Sequence, residues 1–89
     1  MKTIWKFPFK IKDVVILKIP HSATILHLGL QDGIPCIWAL VDPKNDTRDY
    51  LFSIYGTGHE IEGDHIQFVG TLIFNESGLV FHVFLGAIS

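Results

Sequence analysis

Apolar and polar residues alternate with a period of two along most of the chain. Between Thr3 and Ile11, apolar residues at the odd positions alternate with a largely lysine-bearing set at the even positions. This period is typical of a strand with one buried face. Because Pro8 has no backbone N–H, we expect this strand at a sheet edge or at a bulge.

The same pattern predicts further strands over 14–19, 23–31, 36–41, 50–55, 66–74 and 79–85. Asp32-Gly33 is a tight-turn signal, and Asn75 to Gly78 separates the last two strands as a hairpin. The run 36–41 is apolar at every position, which predicts a central strand covered on both faces. No segment has a helical period. The predicted fold is therefore all-β, a small antiparallel sandwich or partly open barrel of six to seven short strands in a single domain over residues 1–89.

The alternation also predicts which side chains form the core. We expect ten apolar side chains to be mainly buried: Trp5, Phe7, Phe9, Leu26, Leu28, Trp38, Leu40, Phe52, Phe68 and Phe81.

Composition narrows the class of protein. With 48% hydrophobic and 18% charged residues in 89, the chain is neither disordered nor large enough for a second domain. Its longest charge-free runs fall short of the roughly 18 residues that span a bilayer, so we expect no membrane partner. A net charge of −2 with Arg48 as the single arginine argues against direct nucleic-acid binding.

The charges and the single cysteine indicate a compartment. Residues 1–20 carry a net charge of +4, and the remaining residues carry −6. Cys36 is alone, whereas small secreted domains usually contain several disulfides, so we expect a cytoplasmic protein. Lysines interrupt the N-terminal apolar residues, and no signal peptide is predicted.

The segment from Tyr55 to His59 carries the strongest candidate binding chemistry. Its members are Tyr55, Gly56, Thr57, Gly58 and His59. Two glycines permit positive φ angles and expose backbone N–H groups, which could form an anion-binding nest. The acidic residues that follow would repel an anion, and a turn whose glycines serve only the backbone is the simpler interpretation. We place the binding surface here, with Trp38 or His82 nearby if the strands pair as a meander.

Catalytic chemistry has weaker support. The five histidines lack the close pairs typical of zinc sites, and Cys36 lies in the most apolar strand. We predict no catalytic residue, no metal site and no cofactor. A small metal-assisted enzyme using His59, His65 and His82 is kept as an alternative.

Several blocks of sequence together carry a family resemblance. They are Met1 to Lys6, Pro35 to Pro43, Tyr55 to His59 and Leu79 to Phe84. The chain resembles a widespread family of small proteins encoded by phages and prophages and catalogued as a domain of unknown function. The resemblance implies an accessory protein that acts on host machinery.

The function that we expect is therefore non-enzymatic binding. The protein would block a host defence protein, as anti-CRISPR inhibitors do. Alternatively, it would be a sponge that sequesters a small nucleotide immune signal at the Tyr55–His59 loop. We also expect a two-fold homodimer, because the apolar tail from Phe81 to Ile88 would pair with a copy of itself if exposed.

Overall fold

A computed structural model describes residues 1–89. The chain forms seven strands and no helix: β1 (Thr3–Pro8), β2 (Val14–Pro20), β3 (Thr24–Gln31), β4 (Ile34–Val41), β5 (Thr47–Gly56), β6 (Gln67–Phe74) and β7 (Leu79–Ile88). Each predicted strand is present. β2, β4, β5 and β7 extend beyond the predicted bounds, and β1 ends at Pro8 rather than at Ile11.

The strands form two antiparallel sheets that face each other. One sheet has the order β1-β4-β3 and the other has the order β2-β5-β7-β6. The sheets approach each other most closely at β3 and β6, where a Cβ added to Gly70 would lie 3.3 Å from Leu28 Cδ2. The predicted all-β antiparallel fold is confirmed, and the two open sheets make it a sandwich rather than a closed barrel.

Turn chemistry explains the first hairpin. Asp32 and Gly33 connect β3 to β4 with φ angles of 52° and 77°. Two consecutive positive φ angles match a type I′ turn, whose twist suits a two-residue hairpin. At the other side of this sheet, Pro8 ends β1 on an edge, as its missing N–H predicts.

The core lies between the two sheets and contains no buried polar or charged residue other than the tyrosine hydroxyl. Its thirteen members are Phe9, Val15, Ile19, Leu28, Ile37, Ala39, Val41, Tyr50, Phe52, Ile54, Leu72, Val83 and Leu85. The core-facing side chains of β5 lie at its centre, because β5 is an inner strand of the larger sheet.

The burial predictions hold for seven of the ten side chains in whole or in part. Phe9, Leu28 and Phe52 are buried, and Phe7, Trp38, Leu40 and Phe81 are half-buried. The prediction is wrong for Trp5, Leu26 and Phe68, which are exposed.

Each error has a physical cause. A β-bulge in β3 between Ile25 and His27 adds one residue to the strand. Ile25 and Leu28 therefore both face inward, and Leu26 faces outward. Phe68 precedes a similar bulge in β6 and lies beside Phe84 on the outer face of its sheet. Trp5 shares a face with buried Ala39 but sits on edge strand β1, away from the close approach of β3 and β6.

Two further expectations are wrong. The outer face of β4 has no layer over it, so the strand is central but not covered on both faces: Trp38 and Leu40 are only half-buried. The tail does not form an exposed strand either, since β7 lies between β5 and β6 and is hydrogen-bonded on both sides. The route to a dimer through the tail is therefore closed, and the dimer itself stays a prediction.

Candidate functional site

The Tyr55–His59 segment ends β5 and closes into a tight turn. The His59 N–H donates to the Gly56 carbonyl at 3.1 Å, and Gly58 has a φ of +88°. This geometry is that of a type II turn, whose third residue requires a positive φ. Glycine at position 58 is thus explained by the backbone alone.

The structure brings His82 to this turn. His82 is the cross-strand partner of Tyr55 on β7. Its Nε2 lies 2.7 Å from Thr57 Oγ1, and its Nδ1 lies 2.9 Å from Thr71 Oγ1. In the neutral ring, one nitrogen donates to one threonine oxygen and the other accepts from the second hydroxyl. Both ring nitrogens are consequently engaged within the protein.

The backbone donors expected for an anion nest are also partly engaged. The Gly56 N–H donates to His59 Nδ1 at 3.3 Å, and the His59 ring occupies the space beside Gly56. A Cβ on residue 56 would meet His59 Cε1 at 2.9 Å. The arrangement favours a structural corner over an anion cradle.

Beyond the turn, residues 57–66 fold back over the outer face of the four-stranded sheet. The Tyr55 hydroxyl lies 3.1 Å from His65 Nε2 and 3.5 Å from the Glu62 carbonyl. The His65 ring packs on Phe84 with a centroid distance of 5.1 Å. Gly86 leaves room for this, since a Cβ there would lie 3.4 Å from His65 Nδ1. Tyr55 thus fastens the loop rather than offering a free aromatic face.

We expect Tyr55→Phe to loosen this loop while leaving the fold intact. The change removes the hydroxyl that meets His65 and Glu62 but keeps the ring against Phe84. Hydrogen–deuterium exchange should be faster across residues 57–66 and unchanged in β7, with a loss of about 1 kcal/mol or less in unfolding free energy. Unchanged exchange in the loop would show that the hydroxyl does not hold it.

Trp38, the remaining residue of the predicted set, lies elsewhere. It projects from the outer face of β4, in the three-stranded sheet, whereas Tyr55 and His82 lie on the outer face of the opposite sheet. The strands do not pair as a simple meander, and this separates Trp38 from the loop. Two candidate surfaces therefore exist, on opposite sides of the sandwich.

The Trp38 surface has its own arrangement of side chains. Lys6 on β1 and His27 on β3 are the direct cross-strand partners of Trp38, so the three form one row across the sheet. The His27 and Trp38 ring centroids lie 5.8 Å apart at an interplanar angle of 40°. Lys6 Nζ reaches across β4 and donates to Gln31 Oε1 at 2.9 Å. Sequence reasoning missed the role of His27, since only the register aligns His27 with Trp38 and Lys6.

Gly29 leaves room for the rings of this row. It is the next outward-facing residue after His27 on β3, and a Cβ there would lie 2.9 Å from His27 Nε2 and 3.7 Å from Trp38 Cζ3. Both rings therefore extend over the glycine backbone. Half-buried Leu40 and exposed Ile4 are cross-strand partners and lie on the same outer face, beside the row. The result is an uncovered apolar sheet face with one tryptophan at its centre.

The metal-binding alternative lacks its ligand set. His59, His65 and His82 do not form a group with metal-ligand geometry, and no three histidine, cysteine or acidic side chains do so anywhere in the chain. Each of the three histidines instead makes a hydrogen bond within the protein.

A comparison with known protein families identifies the family of this chain. A protein-family profile described as a domain of unknown function, DUF7352, matches residues 1–88. The chain belongs to the DUF7352 family. No curated protein and no solved structure matches it. This DUF7352 chain also contains no helix that is long and apolar enough to span a membrane.

Proposed function

We propose that this protein is a non-enzymatic binding protein whose partner docks on the outer face of the three-stranded sheet, around Trp38. The observation that supports this most directly is the row of Lys6, Trp38 and His27 across an uncovered apolar face. Tryptophan is the residue type most enriched among interface hot spots, and such anchors lie near the centre of the contact.

The chemistry around Trp38 indicates the kind of partner. Lys6 is charged and exposed, Lys2 and Lys10 lie just before and after β1, and the paired strands of this face carry no acidic side chain that projects outward. A partner that presents an apolar side chain flanked by carboxylates would complement this surface. The acidic residues of the loop lie on the opposite sheet, where Glu62 contacts Tyr55.

The biological setting is part of the proposal. The resemblance to phage and prophage proteins supports a phage-encoded accessory protein whose partner is a host defence protein, in the manner of an anti-CRISPR inhibitor. Cys36 is a free buried thiol that donates to the Ile34 carbonyl, and a domain of this size without a disulfide suits the host cytoplasm.

The proposal is tested by replacing one tryptophan at a time. Tagged wild-type protein is used to isolate its partner from host lysate, and the identified partner is then titrated by calorimetry. We expect Trp38→Ala to weaken binding by about 30-fold or more, because truncation of a hot spot costs 2 kcal/mol or more. Lys6→Glu should weaken binding less and should change its salt dependence.

Trp5→Ala is the matched control. Trp5 is also partly exposed on the three-stranded sheet, but it lies on the face of buried Ala39, opposite Trp38. Its replacement should leave the affinity within about threefold of wild type. Circular dichroism checks that each variant is folded. Equal affinities of Trp38→Ala and wild type for the partner would exclude this surface. It would also be excluded if protection from host defence were lost only in the double variant Tyr55→Phe with His59→Ala.

A nucleotide sponge at the Tyr55–His59 loop is the second candidate, and the geometry favours it less. The Gly56 N–H already donates to His59 Nδ1, and the Thr57 hydroxyl is already hydrogen-bonded to His82 Nε2. Calorimetry with cyclic dinucleotides and ADP-ribose derivatives separates the two candidates, because only the sponge predicts heat of binding in the absence of a protein partner.

A further inference from the structure

A sandwich of two open sheets has four edge strands, and three of these edges are protected against pairing. On β1, Pro8 and the neighbouring lysines disfavour an added strand. The bulge in β3 and the bulge in β6 distort the other two edges, which also lie against each other. The fourth edge is β2. It also ends in a proline, Pro20, and carries Lys18, but Lys18 pairs with Asp49, and the strand has a regular seven-residue pairing with β5 and no bulge.

The backbone of β2 presents unpaired groups along this edge. The Ile54 N–H donates to the Asp13 carbonyl at 3.0 Å. This hydrogen bond determines which residues of β2 direct their N–H and C=O groups toward β5. Because hydrogen-bonded pairs alternate in an antiparallel ladder, the N–H and C=O groups of Val14, Ile16 and Lys18 point away from β5. The backbone groups of these three residues make no hydrogen bond with any residue outside the sheets.

The space beside this edge is open. A shallow groove of about 240 Å³ lies beside the N-terminal half of β2, lined by residues 14–17 and by the Pro8–Lys12 connection. Five of the eight lining residues are hydrophobic. An extended strand placed here could form hydrogen bonds with the unpaired backbone groups of β2 and could contact apolar side chains.

We propose that β2 is the self-association strand, which pairs antiparallel with β2 of a second copy across a two-fold axis. The strand Val14–Pro20 is apolar except for Lys18, whose ammonium pairs with the Asp49 carboxylate on β5. A second copy of such an apolar segment can therefore pair with it, and two-fold dimers are the commonest homo-oligomers. The pairing would join the two four-stranded sheets into one sheet of eight strands.

Charge supports a second copy as the occupant. Lys10 and Lys12 lie beside the N-terminal half of β2, where an antiparallel copy would place its Pro20 end, so Lys10 and Lys12 of one copy stay apart from those of the other. The lysine of the second copy that comes nearest to them is Lys18, and the Asp49 carboxylate lies beside it.

The inference is tested by the mass in solution. Light scattering at micromolar concentration should give twice the chain mass of 10.0 kDa. Ile16→Lys should give the mass of a single chain, because a charge on an edge strand opposes pairing. Ile4→Lys is the matched control: both isoleucines are 56% exposed on edge strands, β2 and β1 respectively. It should leave the dimer unchanged.

A second variant and a second measurement separate lost pairing from lost folding. Ile16→Pro removes an outward N–H while the pairing of β2 with β5 keeps its own donors, and it should also give single chains with an unchanged circular dichroism spectrum. In wild type, exchange of the Val14, Ile16 and Lys18 amides should slow as concentration rises. A wild-type mass of one chain, or dissociation by Ile4→Lys but not by Ile16→Lys, would overturn the inference. The masses of wild type and of Ile16→Lys do not depend on the Trp38 surface, whereas Ile4 lies on the same face as Trp38.

Discussion

Leu28→Ala should lower the free energy of unfolding by about 2–5 kcal/mol, the range for truncation of a buried leucine. Leu28 is 7% exposed, and its side chain packs beside Gly70 at the seam where β3 meets β6. The cavity would open at the closest approach of the two sheets, where little backbone can move to fill it. Urea denaturation monitored by tryptophan fluorescence measures the loss.

Leu26→Ala provides the matched control two residues away on the same strand. Leu26 is 48% exposed because the β3 bulge turns it outward. Its truncation removes little buried surface and should cost less than about 1 kcal/mol. Equal losses for the two variants would contradict the bulge and restore the simple alternation that the sequence suggests.

The leucine pair shows how far the sequence can predict this fold. Period-two alternation predicts all seven strands, because one buried face requires that pattern. It cannot say where an extra residue interrupts the pairing. Bulges occur in β3, in β6 and in β7, and every bulge reverses which residues face inward. Gly70 and Gly86 lie at two of them, and glycine within a strand is a known sign of a bulge. No such sign accompanies Leu26.

The candidate site was predictable to the same limited extent. The Tyr55–His59 turn follows from its glycines, and His82 reaches the turn because β7 pairs with β5. The position of Trp38 on the opposite sheet could not be predicted, since strand order depends on contacts between distant segments. The row with Lys6 and His27 needs the register of three strands, and a single sequence contains no local signal for that register.

The tail illustrates the same point for assembly. Its apolar composition led to the expectation of an exposed pairing strand, yet β7 is the inner strand that holds β5 and β6 together. Apolar residues on both faces are what an inner strand requires. The strand that remains open, β2, is equally apolar but ends in Pro20 and lies at the edge, which only the topology reveals.

Tyr50→Ala should remove most of the stability of the domain. Tyr50 is 1% exposed, and its ring is among the largest fully buried side chains. Truncation of a buried aromatic side chain costs about 3–5 kcal/mol, against a total of about 5–15 kcal/mol for a typical domain. Thermal unfolding followed by circular dichroism should show a greatly lowered Tm or no folded baseline.

The hydroxyl of Tyr50 explains why a tyrosine, and not a phenylalanine, occupies this position. It accepts the Ala23 N–H at 3.2 Å and donates to the Pro20 carbonyl at 3.4 Å. Both partners lie where the chain leaves β2 for β3 and so crosses from one sheet to the other. Tyr50→Phe would leave these groups without a partner and should cost about 1–3 kcal/mol. Tyr55→Phe is the control, because its hydroxyl lies on the outer face of the sheet. If Tyr50→Phe were as stable as Tyr55→Phe, the crossing would be held by packing alone.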